Sequence, residues 1–275
     1  MPAPSTTVIA ARSGFAGVGL RELWSYRELL LFLAWRNILV RYKQTFLGLA
    51  WALIQPFALM IVLTIFFGRL AKVPSNGAPF AISMYAALVP WTFFASSMGQ
   101  SASSLVANAN LLSKVYFPRI ALPISTILSA FVDFLVASLL LVALMGWYDT
   151  WPSLIALAVV PAMTVVLIAA ALGVGLWLAA LNVMYRDVQY VVPFATQIWF
   201  FATVVYPVSL LHSPWHTVVG LNLMAGVIEG YRWALLGTTH GPGWMMAVSA
   251  AISAVLLVSG ALYFRRVERT FADVI

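Results

Sequence analysis

The residues that would hold a nucleotide phosphate are the three lysines, Lys43, Lys72 and Lys114, and none follows a glycine. A phosphate-cradling loop needs G-x-x-x-x-G-K-[ST], in which backbone amides and the lysine wrap the phosphates. That motif is missing, so any ATP that drives this chain is hydrolysed by another polypeptide. His212 and His216 stand four apart, a spacing that puts two imidazoles on one helix face. Ser213 and Pro214 interrupt them, no glutamate completes a zinc-protease pattern, and the ligand count for a metal is short. Histidines at a membrane interface beside Trp215 are the expected reading. Asp133 is the one carboxylate well inside an apolar run. An ionisable group there is a functional candidate, and a proton relay is one such use. Relays use several acidic or histidine groups, so a hydrogen bond to a neighbouring helix is the favoured role. The chain has no cysteine, which removes disulfides, thiolate zinc sites and iron–sulfur clusters.

Two further segments carry charge and aromatics in a pattern suited to protein contact. Asn108–Pro123 reads NANLLSKVYFPRIALP, a short amphipathic stretch with Lys114 and Arg119, closed by prolines. Leu181–Pro193 reads LNVMYRDVQYVVP and adds Arg186 and Asp187. Each is either a docking surface or a plain connecting loop.

The elements that must position these groups follow from composition. The 275 residues are 63% hydrophobic and 8% charged, whereas soluble domains run about half apolar and about a quarter charged. This chain cannot cover a water-facing surface, and one membrane bundle is the expected architecture. The net charge of +7 then points to anionic lipid head groups and not to nucleic acid. A membrane span needs about 20 apolar residues. Six runs qualify: Leu47–Phe67, Phe80–Ala107, Leu122–Met145, Leu154–Leu181, Val191–Pro207 (near the short limit) and Met245–Phe264. An all-α integral membrane protein with six spans is therefore expected, its spanning domain covering 46–264. Trp91, Trp147, Tyr148, Trp151, Tyr206, Trp215, Trp244 and Tyr263 fall at span ends as an interfacial belt.

Residues 208–244 hold only short apolar pieces, broken by Gly, Asn, Glu229 and Arg232. Such pieces do not cross, and re-entrant or interfacial helices are expected, lining the mouth of a path. Residues 21–45 mix Leu23, Leu30, Leu33, Ile38 and Val40 with Arg21, Arg27, Arg36, Arg41 and Lys43, and read as an amphipathic interface helix. Residues 1–20 read as a flexible tail and 265–275 as a second tail. Arg12, Arg21, Arg27, Arg36, Arg41, Lys43, Lys114, Arg119, Arg186, Arg265, Arg266 and Arg269 fall on one side, twelve of the 15 basic residues. That asymmetry puts both termini in the cytoplasm. Gly226 with Gly230, and Ala169, Gly173 and Gly175, permit close helix contact. The face of Ser96, Ser97, Ser101, Ser103 and Ser104 is read as packing, and Pro56 and Pro161 as bends.

These blocks together resemble the membrane subunits of polysaccharide-exporting ABC transporters, the group that exports O-antigen and teichoic acid. The resemblance runs through LFLAWRNILVRYKQTFLGLAWALIQP (31–56), YAALVPWTFF (85–94), SLVANANLLSKVYFPRIALP (104–123), GLWLAALNVMYRDVQYVVPF (175–194), IEGYRWALLG (228–237) and FADVI (271–275). One departure is Asn222-Leu223, where the family often has Asn-Pro before its re-entrant helix.

The resemblance implies a homodimer with two copies of a cytoplasmic ATPase that binds ATP and Mg, and no cofactor in this chain. It implies outward transport of a glycan on a polyprenyl diphosphate across a bacterial cytoplasmic membrane. Leu111, Lys114, Tyr116, Phe117, Arg119, Arg186 and Asp187 would then couple to the ATPase. Arg36, Arg41 and Lys43, with Arg119, would meet the diphosphate first. Trp177, Trp199, Phe200, Phe201 and Tyr206 would line the glycan path, because sugar C–H faces pack on aromatics. A teichoic acid or capsule exporter, and a proton-coupled secondary transporter, are the alternatives. A membrane glycosyltransferase would have only Asp149, His212, His216, Glu229 and His240 to work with outside the spans.

Overall fold

The computed structural model describes residues 20–43, 45, 47–74, 77–205, 208, 211–212, 214–237 and 241–271, without the side chains of residues 20–22 and 269. Residues 1–19 of the tail expected at 1–20, Tyr206, His240 and residues 272–275 lie outside them, and Leu20 already belongs to a helix. All regular structure among the described residues is helical. In hydrocarbon every backbone amide and carbonyl must be satisfied within the protein, and a helix does that locally.

The chain opens with α1 (Leu20–Ser25) and α2 (Arg27–Tyr42), so the expected interface helix is split beside Tyr26. The first span, Gly48–Leu70, joins a 3-10 turn, α3 (Trp51–Leu63) and a π-helical turn (Thr64–Leu70). Then follow α4 (Phe80–Ala107), α5 (Ala109–Lys114), α6 (Ala121–Trp147) and α7 (Ala156–Met184). The last group is α8 (Val188–Thr203), α9 (Trp215–Gly220), α10 (Leu223–Leu236), α11 (Trp244–Val267) and a closing 3-10 turn (Glu268–Thr270).

Five of these helices are long and apolar enough to cross a membrane: Gly48–Leu70, α4, α6, α7 and α11. The fifth expected span is different. Its helix α8 has 16 residues, about 24 Å at 1.5 Å per residue, against a hydrocarbon core of about 30 Å.

Helix α4 is the centre of the bundle. In its most apolar window 72% of residues are covered by protein, against 17–33% in the other four long helices. That explains its serines: Ser97, Ser101 and Ser104 are buried, and Ser101 meets the Thr126 hydroxyl on α6 at 3.1 Å. It also corrects the placement of Trp91. This ring is 4% exposed and packs in the core instead of the interfacial belt, because α8 covers it. Trp147, Trp151, Trp215 and Trp244 are exposed, as a belt requires.

Helices α7 and α11 touch backbone to backbone. A Cβ on Gly173 would sit 2.6 Å from the Leu256 carbonyl carbon, and one on Gly260 would sit 2.6 Å from the Gly173 oxygen. Gly226 does the same for α10 against α11, its Cβ position lying 2.1 Å from the Met245 oxygen. Gly230 faces the flexible side chains of Met163 and Met246.

Candidate functional site

One end of the bundle gathers α2, the α4–α6 connection, the α7–α8 connection and the C-terminal turn; it is called the basic end here. A small core joins them: Leu33 from α2, Leu105 from α4, Phe117 and Ile120, Leu176 and Val183 from α7, Phe264 from α11 and Phe271. Motion of the connecting segment is thereby shared among most long helices, since a packed core transmits strain.

Within the α4–α6 segment, α5 stops after six residues and Val115 turns extended, at φ −131° and ψ 130°. Lys114, Val115 and Tyr116 are exposed, whereas Phe117 is buried and Leu111 and Arg119 are half-buried. The exposed stretch of the segment is thus 113–116. Phe117 is the anchor beneath it and Leu111 packs against the same core. Both ends of the segment are tied down. At its start, Arg36 on α2 donates to the Asn108 side-chain oxygen at 2.6 Å. At its finish, the Arg119 amide donates to Glu268 Oε1 at 3.0 Å and its guanidinium to the Glu268 carbonyl. Tyr185, Arg186 and Asp187, between α7 and α8, and Tyr190, in the first turn of α8, form a second exposed patch.

The cations expected to meet a diphosphate divide into two kinds. Lys43 is exposed. Arg36 and Arg41 already hold protein partners. Arg41 spreads its guanidinium over two helices, one terminal nitrogen on Asp133 of α6 and the other on Gln100 of α4. The Tyr42 hydroxyl takes the other Asp133 oxygen. Burial, then the Asp133 carboxylate, pushes the Tyr42 phenol up to about 12, so it remains a donor at neutral pH. Asn37 adds a bond to Ser125 at 3.3 Å. Asp133 therefore does bond a neighbouring helix, and that helix is α2.

Of the five aromatics expected along a path, three come together. Trp199, Phe200 and Phe201 follow one another on α8. Trp199 lies edge-on to Phe94 at 5.2 Å and Trp91 at 6.1 Å, Phe200 is 5.8 Å from Trp91, and Phe201 is 5.4 Å from Phe200. Phe201 is 53% exposed and is the one whose face is turned out of the bundle. Trp177 belongs elsewhere: it stacks on Tyr263 at 4.1 Å and donates to Ser259.

At the opposite end, Glu229 and Arg232 on α10 make a buried pair at 2.8 Å, their side chains 8% and 2% exposed. Arg232 also donates to the carbonyls of Val204, just past α8, and Ser83 on α4, at 2.8 and 3.3 Å. Glu229 accepts from the Val208 amide at 3.3 Å. These two side chains satisfy backbone where the α8 helix has stopped. Asn222 caps α10 by accepting from the Met224 amide at 3.1 Å, with Leu223 simply beginning the helix, and it bonds Trp199 and Thr203 of α8. The departure from Asn-Pro leaves the turn intact. His216 packs against Trp244, ring centres 6.0 Å apart.

Asn108, Gln100, Tyr42, Glu268 and Asn222 went unremarked as site residues at the level of sequence. Polar type beside or within an apolar run is the signal they give.

Comparison with known proteins matches residues 28–236 to the family described as ABC-2 type transporter. The O-antigen export system permease protein RfbA of Myxococcus xanthus is 31% identical, over 92% of this chain and 98% of that protein. The Klebsiella pneumoniae protein of the same name is 24% identical over 90% and 95%. The polysialic acid transport protein KpsM of Escherichia coli is 25% identical over 94% and 98%.

Proposed function

The chain belongs to the ABC-2 type transporter family, and on that premise we propose that it is the transmembrane subunit of an ATP-driven polysaccharide exporter. Its cargo is a lipid-linked glycan of the O-antigen type. The observation that carries this reading is full-length similarity to O-antigen export permeases. The basic-end core supports it, because an external motor needs a docking segment packed into several long helices at once.

In this reading the basic end faces the cytoplasm of a bacterium, both termini with it, in the inner membrane. Two copies of the chain flank the path, and two ATPase subunits bind ATP and Mg and seat on residues 113–116 and 185–190. The remaining crossing, fifth in chain order, is built on α8, with α9 and α10 as re-entrant helices sealing it. The Arg232 bonds to the Ser83 and Val204 carbonyls support that sealing, since irregular backbone at membrane depth must be satisfied by protein. The diphosphate meets Lys43, Arg36 and Arg41, and the glycan passes Trp199, Phe200 and Phe201. Asp133, held by Arg41 and Tyr42, serves as a structural counterion and not as a proton carrier. A capsule-type polymer is the second reading, favoured by the similarity to a polysialic acid transport protein.

The test is removal of the chain from its host. Lipid-linked polysaccharide should accumulate inside while surface polymer disappears, and the tagged chain should copurify with an ATPase. Normal surface polymer in the deletion strain would overturn the assignment.

A further inference from the structure

We propose that Asp133 is a built-in competitor for Arg41, and that this competition makes the basic-end anion site select diphosphates over singly charged lipid head groups. The proposal rests on the reading that Arg41 meets the lipid diphosphate.

The membrane surface beside such a site is crowded with singly charged lipids. A bare arginine would be occupied by them, because its planar fork suits any phosphate. Arg41 is not bare. One arm of its fork is on the Asp133 carboxylate and the other on the Gln100 carbonyl oxygen. The Tyr42 hydroxyl steadies the second carboxylate oxygen. Yet the pair is not sealed, for the Arg41 and Asp133 side chains are 30% and 21% exposed. A ligand can reach the guanidinium without unfolding anything, provided it displaces the carboxylate.

That displacement costs every ligand the same. What differs is the return. A phosphodiester exchanges one negative charge for another and gains little. A diphosphate brings more charge and more acceptor oxygens, and the exposed Lys43, two residues along, adds a second cation. Asp133 thus weakens all anions by a similar factor and leaves their affinity ratio unchanged, but it drops the weaker, singly charged lipids below the occupancy their membrane concentration would give while a diphosphate stays bound.

Release of Arg41 also loosens the end of α2, removing its tie to Gln100 of α4 and leaving Tyr42 as its tie to Asp133 of α6. The same helix holds Asn108, at the head of the docking segment, through Arg36. Occupancy of the site is therefore sensed where the motor acts, through differential affinity for the tied and untied states of α2.

The test measures lipid binding to the purified chain with its ATPase, by native mass spectrometry, using a sugar-free polyprenyl diphosphate and phosphatidylglycerol as probes. The unmodified protein should bind the diphosphate and discriminate against phosphatidylglycerol. Asp133→Asn should bind both lipids about threefold to tenfold more tightly, so that phosphatidylglycerol occupies the site at concentrations where the unmodified protein stays free of it, while Asp133→Glu behaves as the unmodified protein. Arg41→Gln should abolish diphosphate binding. If Arg41→Gln binds normally, Arg41 is not the diphosphate ligand, and both the reading and the filter fall. If Arg41→Gln fails to bind but Asp133→Asn leaves both affinities unchanged, the filter alone falls. Where Asp133→Asn does not accumulate, Gln100→Leu should shift binding in the same direction by less, and no shift overturns the proposal.

Discussion

Replacing Arg232 with Met should unlock the end of the bundle opposite the docking segment. The guanidinium is 2% exposed and makes three bonds, to Glu229 at 2.8 Å, to the Val204 carbonyl at 2.8 Å and to the Ser83 carbonyl at 3.3 Å. Met fills similar volume and supplies none of them. Removing one member of a buried ion pair costs about 3–5 kcal/mol, mainly because the other charge stays behind. At about 2–4 °C per kcal/mol for a chain of this size, the melting temperature in detergent should fall by roughly 10 °C. The double variant Glu229→Gln with Arg232→Met removes the stranded charge and should recover about half of that loss. The assay is thermal melting followed by size-exclusion chromatography with fluorescence detection. A loss below about 3 °C for the single variant would refute the reasoning, since it would mean these groups are solvated or otherwise paired. A double variant less stable than the single would refute it too.

Gly226→Ala should cost about 1–3 kcal/mol by overpacking, because its Cβ meets the Met245 carbonyl oxygen. Gly230→Ala, facing two flexible methionine side chains, should cost less than about 1 kcal/mol; the same melting assay ranks them. Arg119→Glu puts a carboxylate where the guanidinium met the Glu268 carbonyl. That variant should insert and bind its ATPase but lose most cargo-stimulated hydrolysis, and normal stimulation would remove Arg119 from the coupling route. Phe201→Ala, at an exposed ring, should slow glycan export without lowering stability. Phe200→Ala, whose ring packs on Trp91, should lower both; export and melting measured together separate the two.

The long spans were legible because each is a nearly unbroken apolar run, and hydrocarbon allows such a run only one backbone form. Their ends agree within a few residues for α4, α6, α7 and α11. Helix α8 was not legible as a short helix. Its apolar run continues past Thr203, whereas the helix ends there and side chains on α10 satisfy the backbone groups of Val204 and Val208 just beyond it. The Arg232 role hid for the same reason: its i−3 spacing to Glu229 is visible in sequence, but the Ser83 and Val204 carbonyls come from distant segments. Trp91 reads as a belt residue by its type, although it sits mid-run in α4, and the packing of α8 on α4 covers it. Arg41 and Asp133 were each noticed, 92 residues apart, and nothing in one sequence pairs them. Phe117 and Lys114 occupy one amphipathic stretch, yet only the packing of Phe117 into the basic-end core separates anchor from contact surface.

The central claim is that energy enters this bundle from a separate ATPase and is spent on a lipid-linked polysaccharide. It is tested most directly by reconstituting the chain with its ATPase in proteoliposomes and following transfer of lipid-linked O-polysaccharide across the bilayer. Transfer should require both proteins and ATP, and the cargo should stimulate hydrolysis. Transfer by this chain alone, or a complex that hydrolyses ATP without moving the glycan, would contradict it.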